Sequence, residues 1–408
     1  MQSTPSPTVR AALAGLALVP FLLFACADNG NTGPDDVEPI VTITGVEDGQ
    51  SYAAGVTITI QVAPGSYTAT LNGAPFVSGQ SVTQPGDYTL IVTGRNGLAT
   101  TVEQVDFTIE AFGTGDVLII RMFDLREGTF GAPGDAILIT DSSSAGQFHA
   151  LIDAGGRTVA NVLSESYVRT RLEALGVDTL DFMQLTHAHA DHYIGMDEIL
   201  NSSIHVQDFV YNGQDRPSAS SYVSLIDVAE VQADSVIELG ALRTTQLGGG
   251  SVATTITMVP PHPDYDGLMG SDGDSINEGS IGTLVVHGGF RMYFTGDGQF
   301  EANERWRLSF AGLSGDVDIL KIGHHAANDA TDMQWLSHSS FEVAAVSANG
   351  TSHPRIAALD RLETVSNVIY CTNVHGEIRI TVDEGGGYVV TTEKGVGQAC
   401  VPGSAATT

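Results

Sequence analysis

The chain has 408 residues, with 17 lysines and arginines against 48 aspartates and glutamates, a formal charge of −31. An apolar share of 42% excludes wholesale disorder, and the length allows two or three domains with a real core. So few cations, only two of them lysines, exclude a tight non-specific grip on duplex nucleic acid.

The predicted elements begin with an address. Arg10 precedes an apolar run, residues 11–25, which Pro20 interrupts and which is short for a membrane span. It reads as a signal-peptide core ending at Cys26. Leu23-Phe24-Ala25-Cys26 resembles a bacterial lipobox, so the expectation is an exported chain anchored in the membrane by lipid on Cys26. A plain secretory signal and a retained anchor are the alternatives. Residues 27–38 are a linker rich in Asp, Asn, Gly and Pro. Residues 39–112 then show short alternating β runs separated by turn residues such as Asn72-Gly73 and Pro85-Gly86. This segment resembles the immunoglobulin-like modules of bacterial surface proteins, and a spacer role is expected of it.

The main domain is expected over residues 113–385, with a strand and tail over 386–408. Its pattern is α/β. Strands are predicted at 117–120, 136–140, 150–153 and 182–186, with a helix over 159–175 that closes at Gly176. Residues 201–258 read as a polar insertion carrying Phe209, Tyr211 and Tyr222, either a cover over the site or a surface elaboration. Asp264 to Asp274 reads as a solvated acidic loop. Lys321, inside a strand, is expected to reach the surface. Once exported, Cys371 and Cys400 are candidates for a disulfide, with a free buried Cys371 as the alternative.

The chemistry concentrates in Thr186-His187-Ala188-His189-Ala190-Asp191-His192. His187 and His189 lie two apart after a strand, so an extended backbone points both the same way. Asp191 and His192 fall at the turn into a helix and can face a second ion. Imidazole and carboxylate donors suit Zn²⁺, Mn²⁺ or Fe.

This motif resembles the H-x-H-x-D-H signature of metallo-β-lactamase-fold hydrolases. Leu151-Ile152-Asp153-Ala154-Gly155, Phe294-Thr295-Gly296-Asp297 and Leu320-Lys321-Ile322-Gly323-His324-His325 match that family's later landmarks in order. Gly134-Asp135-Ala136, Asn277-Glu278-Gly279-Ser280, Asp318 to His325, Ser347 to Pro354 and Asn373 to Ile378 resemble the competence, DNA-internalisation (ComEC-type) branch. The resemblance implies an αββα sandwich behind an all-β N-terminal unit. It implies two divalent ions, zinc with manganese as the alternative. His187 and His189 would hold the first; Asp191, His192 and His324, preferred over His325, the second. Asp297 would bridge them, and Asp153 would orient a ligand imidazole. Asp191, His353 and Asn277 are the candidate catalytic groups, with His353 contacting substrate or protonating a leaving group. The first site lacks the family's third histidine, and Asn277 or His262 stands open to complete it. Ala326-Ala327 replaces the branch's Gly-Ser, and residues 124–133 interrupt the opening strand. The implied activity is phosphodiester hydrolysis of a small-molecule or polymer substrate through a shared water deprotonated near neutral pH. An ester, lactone or thioester hydrolase and a surface scaffold with a decayed metal site are the alternatives.

Overall fold

The computed structural model describes residues 37–52, 56–82, 86–109, 116–261, 273–299, 317–331, 333–336, 340–366, 368–394 and 399–403. The expected signal segment with Cys26, the linker to residue 36, His262 and the acidic stretch to residue 272 lie outside these residues.

The N-terminal unit is built from alternation. In Val56–Ala63 the buried Ile58 and Ile60 alternate with exposed Thr59 and Gln61, so one face is apolar. That strand pairs with Ile40–Thr44 and Gln80–Val82 in a three-stranded sheet. A five-stranded sheet contains Gln50–Tyr52, Ala99–Ile109, Gly86–Asn96, Ser66–Leu71 and Ala74–Phe76. The two sheets enclose Ile58, Ile60, Leu90, Val92, Phe107 and Ile109. Asn72 and Gly73 both have positive φ, and Leu71 pairs with Ala74 across them, which is the two-residue hairpin expected from Asn-Gly.

The second unit is a sandwich of two sheets. Its first sheet uses β1 (Val117–Met122), β2 (Ala136–Ser143), β3 (Gly146–Ala154), β4 (Thr179–Gln184), β5 (His205–Tyr211) and β6 (Ser235–Glu238). The second sheet follows with β7 (Arg243–Leu247), β8 (Thr254–Val259), β9 (Gly282–His287), β10 (Phe290–Phe294), β11 (Ile319–Lys321), β12 (Val343–Val346) and β13 (Val368–Cys371). The chain then returns to the first sheet with β14 (Ile378–Val382) and β15 (Tyr388–Thr392). The orders are β6-β5-β4-β3-β2-β1-β14-β15 and β7-β8-β9-β10-β11-β12-β13. In each sheet an antiparallel part leads into a parallel part: β3 to β6 in the first, β10 to β13 in the second.

Leu118, Ile120, Ile137, Ile139, Ile256, Val285 and Phe294 fill the layer between the sheets. Each such side chain contributes about 1.5–3 kcal/mol relative to exposure. The outer face of the first sheet packs on α1 (Tyr167–Ala174), α3 (Met196–Leu200) and α4 (Ser220–Gln232) through Leu172, Ile199 and Leu225. The second sheet's outer face is covered by Ala358, Leu359 and Leu362 of Ile356–Leu362. These four layers are the αββα sandwich of the metallo-β-lactamase fold.

Several expectations change. The helix predicted over 159–175 begins only at Tyr167. Before it, Arg157–Val159 and Val162–Ser164 form a hairpin, because Ala160 and Asn161 both take positive φ. Residues 201–258 are no insertion: they supply β5 to β8 and hence parts of both sheets. The division after residue 385 separates β14 from β15, which pair as a hairpin, so the sandwich extends to Thr392. Cys371 and Cys400 form a disulfide that ties the last described segment to the end of β13.

Candidate metal centre

Parallel strands put their C-terminal ends on one edge, and loops leaving that edge collect polar side chains. Here β3 delivers Asp153, β4 runs into His187 and His189, β10 delivers Asp297 and β11 delivers His324 and His325. The short helix α2 (Ala190–Tyr193) carries Asp191 and His192. Two glycines let this loop dock. A Cβ on Gly134, whose φ is +72°, would lie 2.4 Å from the Asp191 carbonyl oxygen, and one on Gly155 only 2.0 Å from it. A third, Gly296 at φ +59°, keeps the turn before Asp297 clear of Ser280.

Asp297 Oδ2 is the hub. It lies 3.1 Å from His192 Nε2, 3.2 Å from His325 Nε2 and 3.9 Å from His187 Nε2. Asp191 Oδ2 is 3.6 Å from His325 Nε2 and 3.7 Å from His192 Nε2. Asp191, His192, Asp297 and His325 thus present one ligand atom each within 4.8 Å of one another. Beside them, His187 Nε2 and His189 Nδ1 are 3.0 Å apart, within reach of one cation. The fit to metal also shows in what is left unmade: Asp297 Oδ1, though buried, makes no hydrogen bond.

The second layer is specific. Asp153 Oδ2 lies 2.7 Å from His192 Nδ1 and accepts from the Thr186 hydroxyl at 2.7 Å, while Oδ1 accepts from the Thr186 amide. A proton on His192 Nδ1 leaves Nε2 free to bind a cation. Ser280 Oγ accepts from the Asp297 amide at 3.0 Å. Gln214 Oε1 accepts from the Ala188 amide, and Arg216 donates to the Ala188 carbonyl, which holds the histidine loop from the β5–α4 side.

The electrostatics divide the site. Burial, helped by the neighbouring His192, keeps His187 well below the usual imidazole range, and burial lowers His189 as well. Both are neutral donors. At His192 and His325 burial also lowers the pKa, but neighbouring carboxylates outweigh it. Asp297, Asp153 and Asp191 push His192 well above its ordinary value, and Asp297 leads in raising His325 to about 9. Asp297 itself is held well below the carboxylate range by His325 and His192 in spite of its burial. Both shifts favour protonated rings where the second cation would bind, so metal binding there competes with protons.

The structure places the other sequence-predicted residues as follows. His325, not His324, joins the ligand group, so the preference for His324 reverses. Residues His324, His325 and Ala326 all have positive φ, and this left-handed turn aims His325 inward. His324 Nδ1 instead lies 3.1 Å from Asp329 Oδ1, and its Nε2 lies 3.2 Å from Asn277 Nδ2. Asn277 is buried on α5 (Gly273–Glu278), and its Oδ1 makes no hydrogen bond. The His353 ring lies 5.6 Å from that of His324 and 6.0 Å from that of His325. Burial and the two histidines push it down to about 3, so it is neutral near pH 7 and unsuited to giving up a proton there. Lys321 does not reach the surface. It is fully buried, pairs with Asp135, donates to the Gly296 carbonyl at 3.0 Å and has Asp297 Oδ1 at 3.9 Å. Sequence reasoning missed this pair and Asp329. The signal for Asp135 lies in Gly134-Asp135-Ala136, which the sequence marks only through its resemblance to the competence branch.

No family model matches the chain. Its sequence is similar to ComE operon protein 3 of Bacillus subtilis, 26% identical over 227 residues, covering 53% of this chain and 26% of that protein. It is also similar to Recombination protein 2 of Haemophilus influenzae, 30% identical over 107 residues, covering 26% of this chain and 13% of that protein. Both are homologues of the competence type, and the chain spans only a minor part of each. Solved structures with similarity include a CmlA beta-hydroxylase at 11% identity and TM-score 0.37, covering 72% of this chain and 69% of that one. A diphosphatase from the PhnP family has 13% identity and TM-score 0.32, covering 63% and 86%. Zn²⁺-bound PqqB from Methylobacterium extorquens has 12% identity and TM-score 0.37, covering 65% and 99%.

Proposed function

We propose that this chain, a homologue of the competence-type proteins on a metallo-β-lactamase fold, is an exported, membrane-tethered metal-dependent hydrolase of phosphodiester bonds. The observation that carries the catalytic reading is Asp297 Oδ2, one carboxylate oxygen placed between His192, His325 and His187. A shared carboxylate between two donor groups is what a pair of cations requires. His187 and His189 would hold one ion, with Asp191, His192 and His325 on the other. When bound, divalent ions supply Lewis acidity that lowers the pKa of water and offsets charge developing on a phosphoryl oxygen.

The chain's own groups do the rest. Asp153 fixes the tautomer of His192 and the position of Thr186, so the ligand loop is set before substrate arrives. His353, neutral and half-buried, is a hydrogen-bond partner for substrate. Lys321 and Asp135 brace the loop around Gly296 from below. The address at residues 11–26 supports export and a lipid on Cys26, and the N-terminal sandwich would hold the enzyme off the membrane. The charge of −31 favours small or polymeric phosphodiesters over tight binding of long duplexes.

The test is hydrolysis of bis-p-nitrophenyl phosphate by the full chain loaded with Zn²⁺ or Mn²⁺, beside Asp191→Asn. Turnover that the variant loses supports the reading. Two bound metals with turnover of neutral esters or lactones, and none of the phosphodiester, replaces it with the ester-hydrolase reading. Metal content well below two per chain, with no turnover, favours the scaffold.

A further inference from the structure

A second charged cavity lies away from the metal centre, and it is basic in an acidic chain. It measures about 460 Å³ and is lined by Arg121, Arg157, Arg171 and Arg379 with Tyr167, Thr391, Thr392, Glu377 and Glu393. Four of the chain's 15 arginines therefore meet in one concavity. Ile120 and Met122 point into the layer between the sheets, so Arg121, between them, faces the outer side. The cavity thus opens on the outer face of the first sheet, beside α1, and not at the strand ends.

Its charges do not balance internally. Glu377 takes Arg121 at 2.7 Å and Arg171 at 2.6 Å, one on each carboxylate oxygen. Arg379 is the direct cross-strand neighbour of Arg121, a like-charge pairing that destabilises a sheet unless an anion lies close. It makes no ion pair within 4.0 Å among the described residues, and its Nε is buried without a hydrogen bond. Arg157 lies over the Tyr167 ring at 4.4 Å, and its Nε too is buried without a hydrogen bond. The Thr392 hydroxyl is the third such group. Against four guanidiniums stand two carboxylates, a surplus of two positive charges. Three residues with an unpartnered polar atom, and that surplus, thus line one cavity.

The geometry points to a binding site for a doubly charged oxyanion, a phosphate or sulfate group, held by Arg157 and Arg379 and independent of the metal centre. Guanidinium forks match tetrahedral oxyanions, and the aromatic face of Tyr167 presets Arg157 for such a contact. The group would come either from a soluble phosphate ester or from a lipid headgroup, since both present the same chemistry.

The experiment is calorimetric titration of the full chain, stripped of metal by chelation so that the histidine site does not compete, with inorganic phosphate. The expected result is one site with a Kd of about 1 mM or tighter. Binding falls about tenfold or more in Arg157→Gln and in Arg379→Gln, and it weakens with added salt. Arg157→Lys keeps the charge, loses the fork and falls between. Thermal melts of each variant confirm folding. Vesicles containing phosphatidic acid form the second arm: binding tighter than to free phosphate, lost in the same variants, assigns a headgroup, and no gain on vesicles assigns a soluble phosphate. Absence of saturable binding in both arms overturns the site, as does binding that both glutamine variants retain.

Discussion

Replacing Lys321 by methionine isolates what a buried cation does beside the candidate metal centre. Lys321 is fully buried and Asp135 is 1% exposed, so water screens neither. Methionine keeps the length of the side chain and removes the charge. Asp135 is then left buried beside Asp153 with its nearest counter-charge gone and only His192 and His325, at 4.0 and 3.9 Å, still facing it, and its Oδ1 already lacks a hydrogen bond. Breaking a buried pair in this way costs about 3–5 kcal/mol. A domain stable by about 5–15 kcal/mol loses a large share of its margin. Urea unfolding of the metal-free chain reads this as a lower midpoint at unchanged slope. The companion Lys321→Met/Asp135→Leu removes both charges and should recover most of the loss, giving a coupling energy well above the ~0.5 kcal/mol of independent sites. A loss under about 1 kcal/mol in the single variant, against the range for buried pairs, would refute the claim that the pair supports this edge of the fold.

Other outcomes follow from the same geometry. His325→Ala should lower metal affinity at least as much as the ~10–100-fold typical of outer-shell changes, with His324→Ala affecting it less, both measured by competition with a chromogenic chelator. In metal-free protein His325 titrates at about 9 against an ordinary 6.5, so its stabilising contribution is complete below pH 6.5 and is lost as pH rises through 9. A melting temperature in chelator that fails to fall over that window contradicts the assignment. Metal affinity should move the opposite way, rising with pH as His192 and His325 give up their protons, and this is read from proton release in two buffers of different ionisation enthalpy. Reducing the Cys371–Cys400 bond, which spans 29 residues, should lower stability by about 3–4 kcal/mol in urea unfolding.

The candidate metal cluster was legible because its residues are local in sequence. Three histidines and an aspartate in six positions after a strand leave little choice of direction, and Asp153 and Asp297 announce themselves as lone carboxylates at apolar strand ends. The choice between His324 and His325 was not legible. Strand alternation stops at Ile322, and three consecutive positive φ angles then decide which ring faces inward. The burial of Lys321 was hidden for another reason. Its partner Asp135 is 186 residues away and arrives from the other sheet, so only tertiary contact supplies the counter-charge. The misread helix start has a local cause. Val159, Val162 and Leu163 fall at helical spacing, but Ala160-Asn161 makes a tight turn and the first two valines end up exposed.

The two sheets meet at both ends of the sandwich through polar groups, and the two ends are unlike. At one end Asp141 of β2 accepts from the Thr254 amide and hydroxyl of β8, and Thr254 Oγ1 lies 2.9 Å from His287 Nδ1. That latch closes without any added ion. At the other end Asp153, His187, His189, Asp191 and His192 come from the first sheet, while Asp297 and His325 come from the second. Any cation seated there clasps one sheet to the other. Loading the site therefore does mechanical as well as chemical work: amide exchange should slow in β10, β11 and the loop after β4 when metal is added, and stay as it was around β2 and β8. The sandwich is thus latched at one end by Asp141 and Thr254, and a cation at the other would add its clasp to the Lys321–Asp135 pair already there.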